Sequence, residues 1–311
     1  MSPVTAAMQP TLTLGGVRFT LRGTGDALAF RPAFEPFWTR EETADLACEV
    51  LCCGADATLA LRPSMPDRPW SFTVQAGCCD VVRRNQAGEA LWRLVAPLSF
   101  EQVEVTWNPV LFPDFFGSYE RAWSTGLGIC LLAFRLRACG GLVLHGTAAD
   151  LQGEGILCLG VSGRGKSTLA RLLDAEGIPV LTDERPIVRL MRETPAGDVP
   201  GSPRFHVYGS PWPSSAGFAA QARATLRRIY FLEHGRENRR VPLTPPEAFR
   251  RLIQVVAIPW QNPVLFDPCL ETIQTLLETV PAAVLAFRPD ASAVDWVRNG
   301  GGVNEAEVGV E

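Results

Sequence analysis

The stretch "GVSGRGKSTLA", residues 160–170, decides how the rest of the chain is read. Gly160, Gly165, Lys166 and Ser167 fill the pattern G-x-x-x-x-G-K-S. An apolar run, "GEGILCLGV", precedes the loop and reads as a strand, while "KSTLARLLDAEG" follows it and reads as a helix ended by Gly177. That context suits a phosphate cradle. Glycines let backbone amides turn inward, the helix N-terminus adds positive partial charge, Lys166 reaches the outer phosphates, and the Ser167 hydroxyl can ligate magnesium. The nucleotide-binding set is therefore Gly160, Val161, Ser162, Gly163, Arg164, Gly165, Lys166, Ser167 and Thr168. ATP is the expected nucleotide, with GTP left open, and Mg2+ is the expected metal.

Composition sharpens the assignment. Lys166 is the one lysine among 29 Lys plus Arg residues, so a chain that otherwise uses arginine keeps an ammonium inside this loop. A planar guanidinium does not replace a compact ammonium between phosphates. The 311 residues, 47% of them hydrophobic, suffice for one large domain or two ordinary ones. A formal charge of -4 gives no electrostatic footprint for duplex nucleic acid. The longest apolar run, "GLGICLLAFRLRACGGLVL", is interrupted by Arg135 and Arg137, and no signal-peptide pattern opens the chain, so a cytoplasmic protein without a membrane partner is expected. Nine cysteines, an odd number with adjacent pairs at Cys52-Cys53 and Cys78-Cys79, read as buried thiols in preference to a disulfide framework or a metal site with Cys48.

Outward from the loop the chain divides. Residues 1–118 read as a strand-rich recognition domain, with "TLTLGGVRFTLRG", "ATLALRP", "WSFTVQA", "CDVVRRN" and "EALWRLVAPL" as strand segments; "TREETADLACEVL" begins like a capped helix and leads toward a strand. Residues 119–140 read as a connecting helix with Trp123, Leu127, Cys130, Leu131 and Phe134 on its apolar face. Residues 141–299 form the nucleotide-binding domain. It begins with "GLVLHGTAADLQ", read as one strand turning at Gln152-Gly153, and ends with helices near 245–257 and 268–280, the strand "AAVLAFRP" and the helix "ASAVDWVRN". Residues 300–311 are expected to be a disordered tail.

A phosphate cradle also needs an acid. "VLTDE" ends the strand after the P-loop helix and sets Asp183 and Glu184 beside the phosphates if the strands are neighbours, giving Ser167, Asp183 and Glu184 as metal candidates. His145, in "LHG", ends the strand before the P-loop strand and can lie beside those acids. The expected catalytic set is Asp183, His145, Lys166 and Glu184, with adjacency leaving open which acid is base and which assists the metal. "YGSPWPSS" reads either as a substrate-facing lip with Trp212 as a contact or as a plain connector. Arg227, Arg228, Arg239 and Arg240 read as a solvated face before a phosphate contact.

These residues carry a resemblance. The ordered set "LHGTAADLQGEGILCLGVSGRGKSTLARLLDAEGIPVLTDE" resembles the catalytic core of HPr kinase/phosphorylase and the wider group of HPr-kinase-like serine kinases, which share a fold with phosphoenolpyruvate carboxykinase. The resemblance covers about residues 141–190 and extends more loosely to "YGSPWPS", "RRIYFLEHG" and "VPAAVLAFRPD". It implies an α/β (α+β) fold with a mixed-sheet P-loop kinase core, and places His145, Asp183 and Glu184 around the transferred phosphate, one acid deprotonating an acceptor serine. It also implies ATP-dependent transfer to a Ser/Thr hydroxyl on a peptide or protein, and the shorter members' peptide-tailoring role makes a ribosomal natural-product precursor a candidate acceptor. Thr168 stands where the bifunctional enzyme has an acid, Glu184 where it has Asp, and its Pro-Gly-Arg-Asn-type segment is missing. These departures argue against phosphorolysis and against HPr as substrate. The competing expectations are a small-molecule kinase acting on free serine or a similar metabolite, and a non-catalytic nucleotide-binding regulatory module. The family's hexamer makes a homo-oligomer an expectation by analogy.

Overall fold

The computed structural model describes residues 11–22, 32–38, 46–111, 126–191, 203–258, 260 and 262–299. The tail at 300–311, the first part of the helix read over 119–140 and the cap-like residues 39–45 lie outside them. Two units emerge, Met1–Gly140 with Ile258–Cys269, and Gly141–Ala257 with Leu270–Glu311. Each carries its own mixed sheet, which makes the protein mixed α/β.

Among the described residues, the strands of the first unit are β1 (Thr11–Leu14), β2 (Val17–Arg22), β3 (Leu46–Ala55), β4 (Trp70–Gln75), β5 (Cys78–Arg84), β6 (Ala90–Pro97) and β7 (Gln102–Trp107). They form one sheet in the order β1-β2-β3-β7-β6-β5-β4, parallel at β2/β3 and β3/β7 and antiparallel elsewhere. Period-two alternation supplies its core. Along β6, Ala90, Trp92, Leu94 and Ala96 are buried and the residues between them are not. Helix α1 (Gly128–Leu136) packs Phe134 onto Phe100, ring centroids 4.5 Å apart. "ATLALRP" is not a strand: residues Ala57–Leu61 form a 3-10 turn because the Asp56 side chain caps the Thr58 amide at 2.9 Å.

The second unit begins with β8 (Gly141–Val143), β9 (Gly146–Leu151) and β10 (Glu154–Leu159), followed by α2 (Lys166–Ala175), β11 (Val180–Thr182), β12 (Ile187–Met191), β13 (Arg204–Tyr208), β14 (Arg223–His234) and β15 (Arg239–Pro242). Next come α3 (Pro245–Leu252), α4 (Pro263–Thr279), whose residues from Leu270 onward belong to this unit, β16 (Ala282–Phe287) and α5 (Ser292–Arg298). The sheet runs β11-β9-β10-β14-β13-β12-β8, with β16 pairing β14 and β15. Strands β10, β14 and β16 are parallel.

Two further expectations are corrected by the second unit. "GLVLHGTAADLQ" is two strands, because the Leu144 amide bonds to the Pro186 carbonyl at 3.0 Å and the His145 amide to the Val255 carbonyl at 2.6 Å, which takes the chain from one sheet neighbour to another. The helix expected from 268 begins at Pro263 and contains Pro268. Proline cannot donate to the carbonyl of Val264, and the Arg137 guanidinium donates to that carbonyl instead, at 3.1 Å.

The core behind the 160–165 loop follows from α2. Leu169, Ala170 and Leu173 turn inward onto Ile156, Cys158, Tyr230 and Phe287, and α5 adds Ala293, Val294 and Val297. Burial on this scale fixes the helix start, and with it the loop.

Candidate functional site

The strand directions bring the site together. β10 ends at Leu159, paired with Gly146 of β9, and its parallel neighbour β14 continues to His234. His145, the 160–165 loop, Asp183 beyond β11 and His234 thus lie along the carboxyl edge of the parallel strands, where α/β sheets bind ligands.

Within the loop, Gly163 and Gly165 have φ of 83° and 86°. At Gly165 the left-handed conformation is obligatory, and a Cβ would sit 2.8 Å from Phe287 Cζ. Val161, Ser162, Gly163 and Arg164 are exposed, whereas Gly160, Gly165, Ser167 and Thr168 are half-buried. The Lys166 ammonium is buried over the loop and donates to the carbonyls of Gly160 at 2.8 Å and Val161 at 3.1 Å. Burial lowers its pKa and Arg185 acts in the same direction, while Glu184 opposes both. His234 Nε2 donates to the Gly163 carbonyl at 2.7 Å and pins the outer turn.

The two adjacent acids face different partners. Glu184 Oε2 lies 3.5 Å from His145 Nε2 and its Oε1 lies 3.3 Å from an Arg185 nitrogen. The hydrogen bond to His145 lowers the Glu184 pKa; partial burial works against it, and the charges of Arg185, His145 and Lys166 reinforce it. Asp183 is fully buried. Its Oδ1 accepts from the Ser214 amide at 2.9 Å, and its Oδ2 from the Ser214 hydroxyl at 2.5 Å and the Ala216 amide at 3.1 Å. Ser214 Oγ is also 2.9 Å from Ser167 Oγ, so Ser167, Ser214 and Asp183 form a continuous chain of oxygens.

The expected residues therefore fall into place unevenly. Lys166, Ser167, Asp183, Glu184 and His145 converge at one edge. Trp212 is buried at 8% exposure, so an indole of its size is spent on packing, and the loop reaches the site through Ser214. Arg228 donates to the carbonyls of Val297 and Arg298, and Arg227 lies 4.0 Å from Glu154 at the far end of β10. Arg239 and Arg240 sit on β15, exposed and half-buried. The residues that sequence reasoning missed are Ser214, His234 and Arg171, which donates to the Ser215 carbonyl at 2.9 Å. Only "SPWPSS" offered a local signal, through its run of hydroxyls.

Among the described residues no group of three or more His, Cys, Asp or Glu side chains is placed to hold a metal ion. Burial pushes the thiols of Cys48 and Cys158 up to about 12 and that of Cys79 to about 11. Magnesium is commonly held by one or two carboxylates together with substrate phosphates; three donors already fill the Asp183 oxygens, so Ser167 and Glu184 are the candidate ligands. No helix of the described residues is long and apolar enough to cross a membrane. No family model matches the chain, and the search of curated proteins found no match.

Proposed function

We propose that the chain is an ATP- and magnesium-dependent kinase that transfers the γ-phosphoryl group to a Ser or Thr hydroxyl of a peptide or protein. One observation carries this reading: a P-loop lysine and serine share one sheet edge with a buried aspartate that already accepts a hydrogen bond from an alcohol. The resemblance to HPr-kinase-like serine kinases, with their P-loop kinase core, supports the same assignment.

In this reading Lys166 exchanges the carbonyls of Gly160 and Val161 for the outer phosphates, while the inward amides and the α2 N-terminus bind the rest. Ser167 and Glu184 would hold magnesium, and the metal when bound neutralises charge on the phosphate oxygens. The acceptor oxygen attacks the γ-phosphorus, the bond to the β-phosphate oxygen breaks, ADP departs and Asp183 Oδ2 takes the hydroxyl proton. His145 pairs with Glu184, and of these two adjacent acids Asp183 is the one bonded to a hydroxyl. Positioning and charge stabilisation supply most of the acceleration.

The test offers γ-labelled ATP and Mg2+ with a pool of Ser/Thr peptides and free serine. Label on a peptide hydroxyl, lost in Asp183→Asn and Lys166→Ala, is the expected outcome. Label on free serine alone selects the metabolite kinase, and nucleotide binding without transfer to any hydroxyl, those of the chain itself included, points either to an acceptor outside the pool or to the regulatory module.

A further inference from the structure

We propose that Ser214 is an internal phosphate acceptor, so that the chain phosphorylates itself at this residue. The proposal rests on the kinase reading and adds a substrate to it. Its basis is the position of one hydroxyl. Ser214 Oγ lies 2.5 Å from Asp183 Oδ2 and 2.9 Å from Ser167 Oγ, bonded at once to the expected base and to the serine of the phosphate loop.

Ser214 is held there from several sides. Its own amide donates to Asp183 Oδ1 at 2.9 Å, the next carbonyl accepts from Arg171 on the P-loop helix at 2.9 Å, and the Gly217 amide closes a turn onto the Ser214 carbonyl at 3.2 Å. The loop is also closed at its base. The Gly209 amide bonds to the Ala222 carbonyl at 3.0 Å and the Ala220 amide to the Leu181 carbonyl at 2.9 Å. No side chain fits at Gly209, where a Cβ would lie 2.0 Å from the Ala220 carbonyl oxygen. Such fixing gives an intramolecular nucleophile its advantage.

Proton counting favours attack. A serine hydroxyl has one hydrogen, and Ser214 gives it to Asp183, so Ser167 donates to Ser214. Once Ser167 turns its hydrogen to a phosphate oxygen, the lone pair that accepted it is released on the side of the loop, while the long bond from the Ala216 amide, at 3.4 Å, stays in place. The Ser214 Oγ–phosphorus bond then forms, the bond from the γ-phosphorus to the β-phosphate oxygen breaks, ADP leaves with that electron pair, and the proton passes to Asp183 Oδ2.

The test incubates the full chain with γ-labelled ATP and Mg2+, without added acceptor, and maps the label by peptide mass spectrometry. Label should accumulate on Ser214 toward about one phosphate per chain, at a fractional rate unchanged by about tenfold dilution, as intramolecular transfer requires. Ser214→Ala should abolish it and Ser215→Ala should retain it. Ser214→Thr, which keeps the hydroxyl, should carry phosphothreonine and so separates loss of the acceptor from loss of the fold. Label at another residue, or a fractional rate that falls with dilution, overturns the proposal. An unlabelled Ser214 in a protein that labels the peptide pool overturns the proposal alone, and an absence of transfer to any hydroxyl overturns it and counts against the kinase reading as well.

Discussion

Gly165 and Glu184 show how single residues set the site. Alanine at 165 would take a backbone at φ 86° and press its methyl on Phe287, so Gly165→Ala should cost about 1–3 kcal/mol and weaken nucleotide binding. Chemical denaturation and a fluorescent-nucleotide titration measure the two effects. Glu184 titrates below its ordinary value of 4.5, chiefly through His145, so the folded state binds fewer protons there than the unfolded state. Its stabilisation is present above that value and is lost as pH falls through the lower folded pKa. Glu184→Gln should be less stable than wild type at neutral pH, and the difference should close in strong acid, as denaturation at several pH values reads out. Lys166, His145 and Glu184 were legible because a local motif or a strand end announced each. Ser214 was not, because its partners lie 31 and 47 residues away and only the closed 209–222 loop brings it to them.

At the scale of elements, α2 carries Lys166 and Ser167 in its first turn, directly after the glycine loop, so its packing sets where they lie. Leu169 is fully buried among Ile156, Cys158 and Phe287, so Leu169→Ala should cost about 2–5 kcal/mol, whereas Leu172→Ala, on the partly buried side, should cost less. Thermal or denaturant unfolding ranks the pair. Strand–loop–helix order around residue 160 was legible since hydrophobic period, glycine and helix cap all agreed. The break at Leu144 and His145 was not, because it depends on carbonyls of Pro186 and Val255 that no local window contains. Nor was the start of α4, where Pro268 reads as a helix beginning until Arg137 supplies the missing donor.

For the whole molecule, binding to the folded state alone raises stability by mass action. ATP with Mg2+ at about 100 times its dissociation constant should add about 2.7 kcal/mol to the unfolding of the unit that holds the loop. Hydrogen exchange should slow within residues 141–257 more than in the first sheet, and a uniform or absent change would contradict the site. The strand-rich character of the first unit and the α/β character of the second were legible from alternating strands and from the strand–loop–helix around residue 160, but the path of the chain between them was not. The first unit takes back Ile258–Cys269 after the chain has built most of the second. Proteins are made from the amino end, so a nascent chain that has reached Gly140 holds an incomplete first unit that waits for a segment not yet translated. The carbonyl that Arg137 will bond, that of Val264, emerges 127 residues later, so the first half of the gene finishes folding only after most of the second has been read.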